Sequence, residues 1–201
     1  MFFDEFQKRK QIRKFDQDNI PKLSLIQDAL TQAHLTVPSK QNLMPYKIFI
    51  IANNPDINST LYDMSHGTSG TITSNTNLLS APYQFIYTAR LATPTGKVLE
   101  DIKDWNHVQP PCNPDMYKDY ITSQGVCIEI GMHATVLTKI LLDSNIGVAY
   151  TRCFDFHDRE QRLPFISDDI YLLMSAGYYS DEDYYESNED KPDFETIHEM
   201  I

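Results

Sequence analysis

Leu23, Ile26, Leu30 and Ala33 recur at steps of three and four after Pro21, the spacing that lines one face of a helix with apolar side chains. Phe2, Phe3 and Phe6 predict a shorter helix at the N-terminus, ended by a basic cluster. Three runs rich in β-branched and aromatic residues, Tyr46–Ala52, Tyr83–Ala89 and 170–176, predict strands, and 148–154 predicts a fourth. The longest periodic stretch is 124–144. Its Val126, Ile130, Ala134, Leu137 and Leu141 form a stripe that Cys127, Met132, Ile140 and Leu142 widen. A helix apolar on more than one face is buried on more than one side, so this one is either the centre of the domain or part of a subunit interface. Asn145 and Gly147 supply its stop signal. Residues 93–120, with Pro94, Pro110, Pro111, Pro114 and the single Trp105, break the alternation of helix and strand. They read as an irregular excursion, either over a site or partner surface or as a structural flap.

With 201 residues, 41% of them hydrophobic, the chain has the material for one domain with an ordinary core, and it shows no repeat or Gly/Ser linker. No uninterrupted apolar run reaches the length of a membrane-spanning helix, and the first ten residues mix both charge signs. A soluble, cytoplasmic protein is expected. Cys112, Cys127 and Cys153 are odd in number and widely spaced, so neither a disulfide framework nor a thiolate metal site is expected. The net charge of −11 argues against a nucleic-acid partner. From Asp181 onward nine acidic residues face one lysine, Lys191, which marks 181–201 as an acidic extension. Residues 8–14 reverse this pattern, with five cations and no acid.

Two segments carry candidate chemistry. In the first, Arg9, Lys10 and Arg13 can converge on one point if the chain turns, and such a cluster favours a phosphate; the same residues also suit a solvated helix end or a salt-bridge partner for the acidic extension. The second, 37–46, lies between a predicted helix and a predicted strand, where the loop of an α/β site belongs. There Ser39 and Asn42 offer hydrogen bonds, Lys40 a charge, and Pro38 and Pro45 a fixed backbone.

Together these segments resemble the nitroreductase family of FMN-dependent oxidoreductases. Arg9-Lys10-Gln11-Ile12-Arg13-Lys14-Phe15 stands in place of that family's R-R-S-x-R-x-F, and Val37 through Tyr46 in place of A-P-S-x-x-N-x-Q-P-W. Asn145 through Asp155 is similar to G-L-G-T-C-W-I-G-G-F-D, and Met174-Ser175-Ala176-Gly177-Tyr178 to the L-I-A-L-G-Y strand end. The resemblance implies an α+β fold with a mainly antiparallel central sheet surrounded by helices, and a homodimer binding FMN at its interface. It implies that Arg9, Lys10 and Arg13, joined by Lys191, hold the phosphate and ribityl end. Pro38, Ser39, Lys40 and Asn42 would border the ribityl chain and ring, with Thr151, Arg152 and Cys153 against the ring. The implied reaction is reduction of a nitroaromatic, quinone or related small-molecule acceptor by NADH or NADPH, in a ping-pong cycle without a catalytic side chain.

The departures fall inside the motifs. Gln11 replaces Ser, Met44 replaces Gln at the flavin's polar edge, and Arg152-Cys153 replaces Gly-Gly. Gln11 keeps the capacity to hydrogen-bond a phosphate, whereas Met44 brings no amide. These changes leave open a specialised flavin reaction such as dehalogenation or flavin fragmentation, a flavin-binding protein with little turnover, and a protein-interaction module.

Elsewhere, 65–71 reads as a surface loop, because it lacks the lysine of a phosphate loop. His133 reads as a satisfied interior or interface group rather than a metal ligand, and Asp155-Phe156-His157-Asp158 as a strand-to-helix turn.

Overall fold

The computed structural model describes residues 10–39, 43–65, 76–90, 124–152, 162–167, 169–180 and 184–185. Four strands form one antiparallel sheet: β2 (Tyr46–Ala52), β3 (Tyr83–Ala89), β4 (Gly147–Thr151) and β5 (Ile170–Gly177), in the order β2-β3-β5-β4. Two short strands, β1 (Gln11–Ile12) and β6 (Tyr184–Tyr185), pair antiparallel with each other, Gln11 opposite Tyr185. β6 belongs to the acidic extension.

Alternation along β3 sorts its side chains to two faces. Tyr83, Phe85 and Tyr87 lie on the first face with Val148 and Met174, packed against Ile26, Ala29 and Ala33 of α1 (Leu23–Thr36) and Val126, Ile130, Ala134, Leu137 and Leu141 of α4 (Gln124–Asp143). On the opposite face Ile86, Ile170 and Leu173 meet Leu61 and Met64 of α2 (Pro55–Ser65), Leu78 of α3 (Asn77–Ser80), Leu163 and Ile166. Helices therefore cover both sides of the sheet. A register shift between Tyr87 and Thr88 brings Tyr87 opposite Leu172 but Thr88 opposite Ile170, so Tyr171 is bulged out of the β3–β5 ladder.

The stripe expected along α4 is the buried one. Among the described helices α4 is long and apolar enough, by length and composition, to cross a membrane; here its buried side fills the core between α1 and the sheet. It ends in a Schellman motif, with Asn145 N–H donating to Leu142 O at 2.9 Å and Ile146 N–H to Leu141 O at 2.9 Å, and Asn145 in the left-handed region at φ 57°. Along α1 the stripe is shifted from expectation. Ile26 and Ala33 are buried and Leu30 packs against the core, but Leu23 is 46% exposed and Ala29, outside the expected stripe, is buried. α2 is an element the apolar pattern did not announce. Asn54 caps it, its Oδ1 accepting from Ile57 N–H at 3.1 Å, and Pro55 follows at the first helical position. The expected N-terminal helix and the excursion at 93–120 lie outside the described residues; of the loop expected at 65–71 only Ser65 is described, and it is the last residue of α2.

Candidate functional site

The basic segment is fastened to the β4 edge of the sheet. Gln11 presents its side-chain amide to the main chain of Tyr150: Tyr150 N–H donates to Gln11 Oε1 at 3.1 Å, and Gln11 Nε2 donates to Tyr150 O at 2.7 Å. Ile12 and Phe15 then bury themselves against Ala81, Ala149 and Tyr179. Thr76 Oγ1 donates to Arg13 O at 2.9 Å, which joins the same segment to the start of α3. The next residue, Asn77, is fully buried; its Nδ2 donates to Ser175 Oγ at 3.0 Å and lies 3.4 Å from Thr151 Oγ1. Ser175 Oγ in turn donates to Gln84 Oε1 at 2.6 Å, and Gln84 Nε2 to Leu78 O at 3.0 Å. Asn77 Oδ1 remains buried without a hydrogen-bond partner, which is costly unless something else supplies a donor. Gln11 thus sits beside Tyr150, with Thr151 and the exposed Arg152 next along the chain, and Asn77 reaches Thr151 from α3.

The second segment lies at the other edge, where the chain enters β2. Ser39 Oγ donates to Glu129 Oε2 on α4 at 2.7 Å and accepts from Met44 N–H at 2.8 Å. Arg90, just past β3, donates from Nε to Met44 O at 2.7 Å and from Nη2 to Leu43 O at 2.8 Å, while its own N–H reaches Pro45 O at 3.1 Å. Met44 is held at φ 45°, a conformation that costs a side-chain-bearing residue about 1–2 kcal/mol. Its sulfur accepts from Tyr46 Oη at 3.2 Å.

Beneath this loop lies a buried polar cluster. The rings of Tyr46 and His133 pack tilted to each other with centroids 5.3 Å apart, and Tyr87 Oη is 3.0 Å from His133 Nδ1. Burial, reinforced by Glu129 and opposed by Arg90, pushes the Tyr46 phenol up to about 12. Burial, with His34 adding to it, brings His133 down to about 4. His133 is thus a neutral, satisfied interior group at ordinary pH.

β2 and β4 are the two edge strands, three strand-to-strand steps apart, or about 14 Å. The structure therefore gathers Lys10, Gln11, Arg13, Thr151 and Arg152 at one edge and Pro38, Ser39 and Met44 at the other. Three side chains are engaged differently from the sequence expectation. The Gln11 amide oxygen and one amide hydrogen are spent on Tyr150, because an amide side chain copies a peptide and can extend the ladder. The Ser39 hydroxyl faces Glu129 and Met44 N–H, and Met44 is buried against Tyr46. Arg9, Lys40, Asn42, Cys153 and Lys191 lie outside the described residues. Glu129, Arg90 and Asn77 are members of these clusters that sequence reasoning missed. The local signal for Glu129 was an acid inside the apolar stripe of α4.

No protein-family model and no curated protein matches the chain. Solved structures do. The chain is similar to a nitroreductase-like protein from Streptococcus mutans, with a TM-score of 0.74 and 15% identity over 100% of this chain and 98% of that one. The fold is the nitroreductase fold. Similar likeness extends to an NAD(P)H:FMN oxidoreductase from Staphylococcus epidermidis, with a TM-score of 0.72 and 14% identity over 100% of this chain and 96% of that one. A nitroreductase from Exiguobacterium sibiricum in complex with FMN gives a TM-score of 0.71 at 13% identity, over 100% of this chain and 97% of that one. At such identities the nitroreductase fold has kept its backbone while most side chains differ.

Proposed function

We propose that this chain is an FMN-dependent oxidoreductase that takes reducing equivalents from NADH or NADPH and delivers them to a nitroaromatic, quinone or related acceptor in a ping-pong cycle. The observation that carries this reading is the Gln11–Tyr150 junction, which fastens a cationic segment beside Thr151 and Arg152 within a nitroreductase fold.

The donor set fits FMN. Lys10 and Arg13 bring positive charge to one edge of a chain of net charge −11, as a phosphate requires. In this reading Arg9, Lys10, Arg13 and Lys191 hold the phosphate and ribityl end, and Thr151, Arg152 and Cys153 border the ring together with Pro38, Ser39, Lys40, Asn42 and Met44. When bound, FMN supplies a ring that accepts a hydride and passes electrons on. The protein's part is to bind, orient and shield it.

The two edges favour a homodimer in which each site takes residues from both subunits. α4 offers a face for that contact: Ile128 is 59% exposed, and nothing lies within 4 Å of a Cβ built on Gly131, so a second backbone can approach closely. A narrower reaction in the same fold is favoured by Arg152, which places an exposed guanidinium where the resemblance expects glycine and raises the potential of a nearby flavin.

The test is the absorbance spectrum of FMN-supplemented, desalted protein before and after anaerobic NADH or NADPH. A retained flavin band that bleaches supports the oxidoreductase; bleaching followed by failure with every nitro and quinone acceptor supports the narrower reaction. Absence of retained flavin defeats both. Arg13→Ala is expected to weaken FMN binding far more than Lys22→Ala, and equal effects would remove the phosphate assignment.

A further inference from the structure

Glu129 and Arg90 converge, from α4 and from the end of β3, on the two ends of one short stretch of chain. Ser39 Oγ is bonded at the same time to Glu129 Oε2 and to Met44 N–H, so residues 39 and 44 are tied to each other and to α4 through a single hydroxyl. Arg90 grips the carbonyls of Leu43 and Met44 with two donors of one planar guanidinium, a bidentate hold that fixes orientation as well as position. These contacts over-determine Met44. Its N–H, its carbonyl and its sulfur are each hydrogen-bonded, at 2.8, 2.7 and 3.2 Å, in a residue whose φ of 45° is unfavourable. Glu129 is 2% exposed. A carboxyl group buried to that degree, with a loop hydroxyl turned toward it rather than toward solvent, is an expensive way to stabilise a fold. It is an effective way to hold Ser39 and Met44 in place.

We propose that Glu129 and Arg90 are positioning residues of the flavin site: Glu129 fixes Ser39 and Arg90 fixes Leu43–Met44, residues that border the cofactor in that reading. The inference rests on the flavin reading. Ser39 acts in it as a tie, its hydroxyl hydrogen committed to Glu129.

The test is FMN titration of the full-length apoprotein by flavin fluorescence quenching, well below the melting temperature of every variant, with the visible circular dichroism of bound FMN as a second readout. Glu129→Leu and Ser39→Ala are expected to raise the FMN dissociation constant by roughly tenfold to a hundredfold and to alter the dichroism. Glu129→Gln, which keeps an acceptor oxygen for the Ser39 hydroxyl, is expected to stay near the wild-type value. A merely structural role would lower the melting temperatures and leave the dissociation constants unchanged, which overturns the proposal, as does equal weakening in the Gln and Leu variants. Ser39→Ala removes the tie while leaving every side chain of α4 in place, so the result does not depend on Glu129→Leu folding. Wild-type protein that binds no FMN defeats the flavin reading and this proposal with it; wild-type protein that binds FMN alongside unaffected variants defeats this proposal alone.

Discussion

The side-chain amide of Gln11 and the peptide of Tyr150 exchange both of their hydrogen bonds, as two residues of paired strands would. A side chain thus completes a ladder that the two-residue strand β1 is too short to complete with its backbone. Gln11→Ala leaves both Tyr150 groups without this partner, and Gln11→Glu sets an acceptor against the Tyr150 carbonyl. Each is expected to cost about 1–3 kcal/mol, with the acid the more damaging. Urea unfolding reads this as a lower midpoint at unchanged slope; a midpoint within error of wild type in both variants would show that the pairing contributes nothing.

His133 makes stability depend on pH. Tyr87, Tyr46 and His34 surround or influence it, and burial first, then His34, holds it at about 4 against an ordinary value of 6.5. Between those two values the unfolded chain binds the proton that the folded chain refuses. The contribution is therefore fully present above pH 6.5 and is lost as pH falls toward 4, to the extent of roughly 3 kcal/mol. Urea midpoints at pH 7, 5.5 and 4.5 should fall more steeply for wild type than for His133→Gln. Parallel curves would show that another group governs the acid limb.

At the end of α4, Asn145 occupies the left-handed position of the Schellman motif. Asn145→Gly is expected to leave stability unchanged or raise it by a few tenths of a kcal/mol. Asn145→Val forces a branched side chain into the same conformation, and a loss of roughly 1–2 kcal/mol is expected. Thermal melting distinguishes the two, and equal melting temperatures would contradict the assignment of the cap.

Gly147 is required for a different reason. A Cβ there would lie 2.4 and 2.6 Å from ring atoms of Tyr179 and 2.8 Å from Ile12 Cγ1. Gly147→Ala is expected to destabilise by about 1–3 kcal/mol, and the smaller ring-free side chain of Tyr179→Leu should recover part of that loss in the double variant. Strict additivity in the cycle would mean that the two positions do not touch.

The strands Tyr46–Ala52 and Tyr83–Ala89 and the long helix α4 were legible because their signals are local: β-branched and aromatic runs, and a stripe wide enough to survive small errors of phase. α2 escaped the apolar count because its buried face includes the polar Asn58 and Ser65, although Asn54-Pro55 had written its start into the sequence. Leu23 misled because, as the first residue of α1, it stands at the solvent-facing end of the helix, whereas Ala29, small and unremarkable as a letter, is buried in the core. The cationic segment and the loop at 37–46 were found as separate motifs. Their fastenings were not, because Ser39 meets Glu129 across 90 residues and Gln11 meets Tyr150 across 139, and nothing at either position announces its partner.

That last span has a consequence for how the protein is made. The cationic arm leaves the ribosome early, yet the strand to which Gln11 docks follows 139 residues later, and the β6 segment that pairs with β1 is later still. Contacts of such long range form late in folding. A growing chain that already contains α1, β2 and β3 therefore still carries its basic segment undocked, and the edge formed by that segment and β4 is among the last parts to exist. Truncations before residue 151 are on this account expected to lose the edge outright.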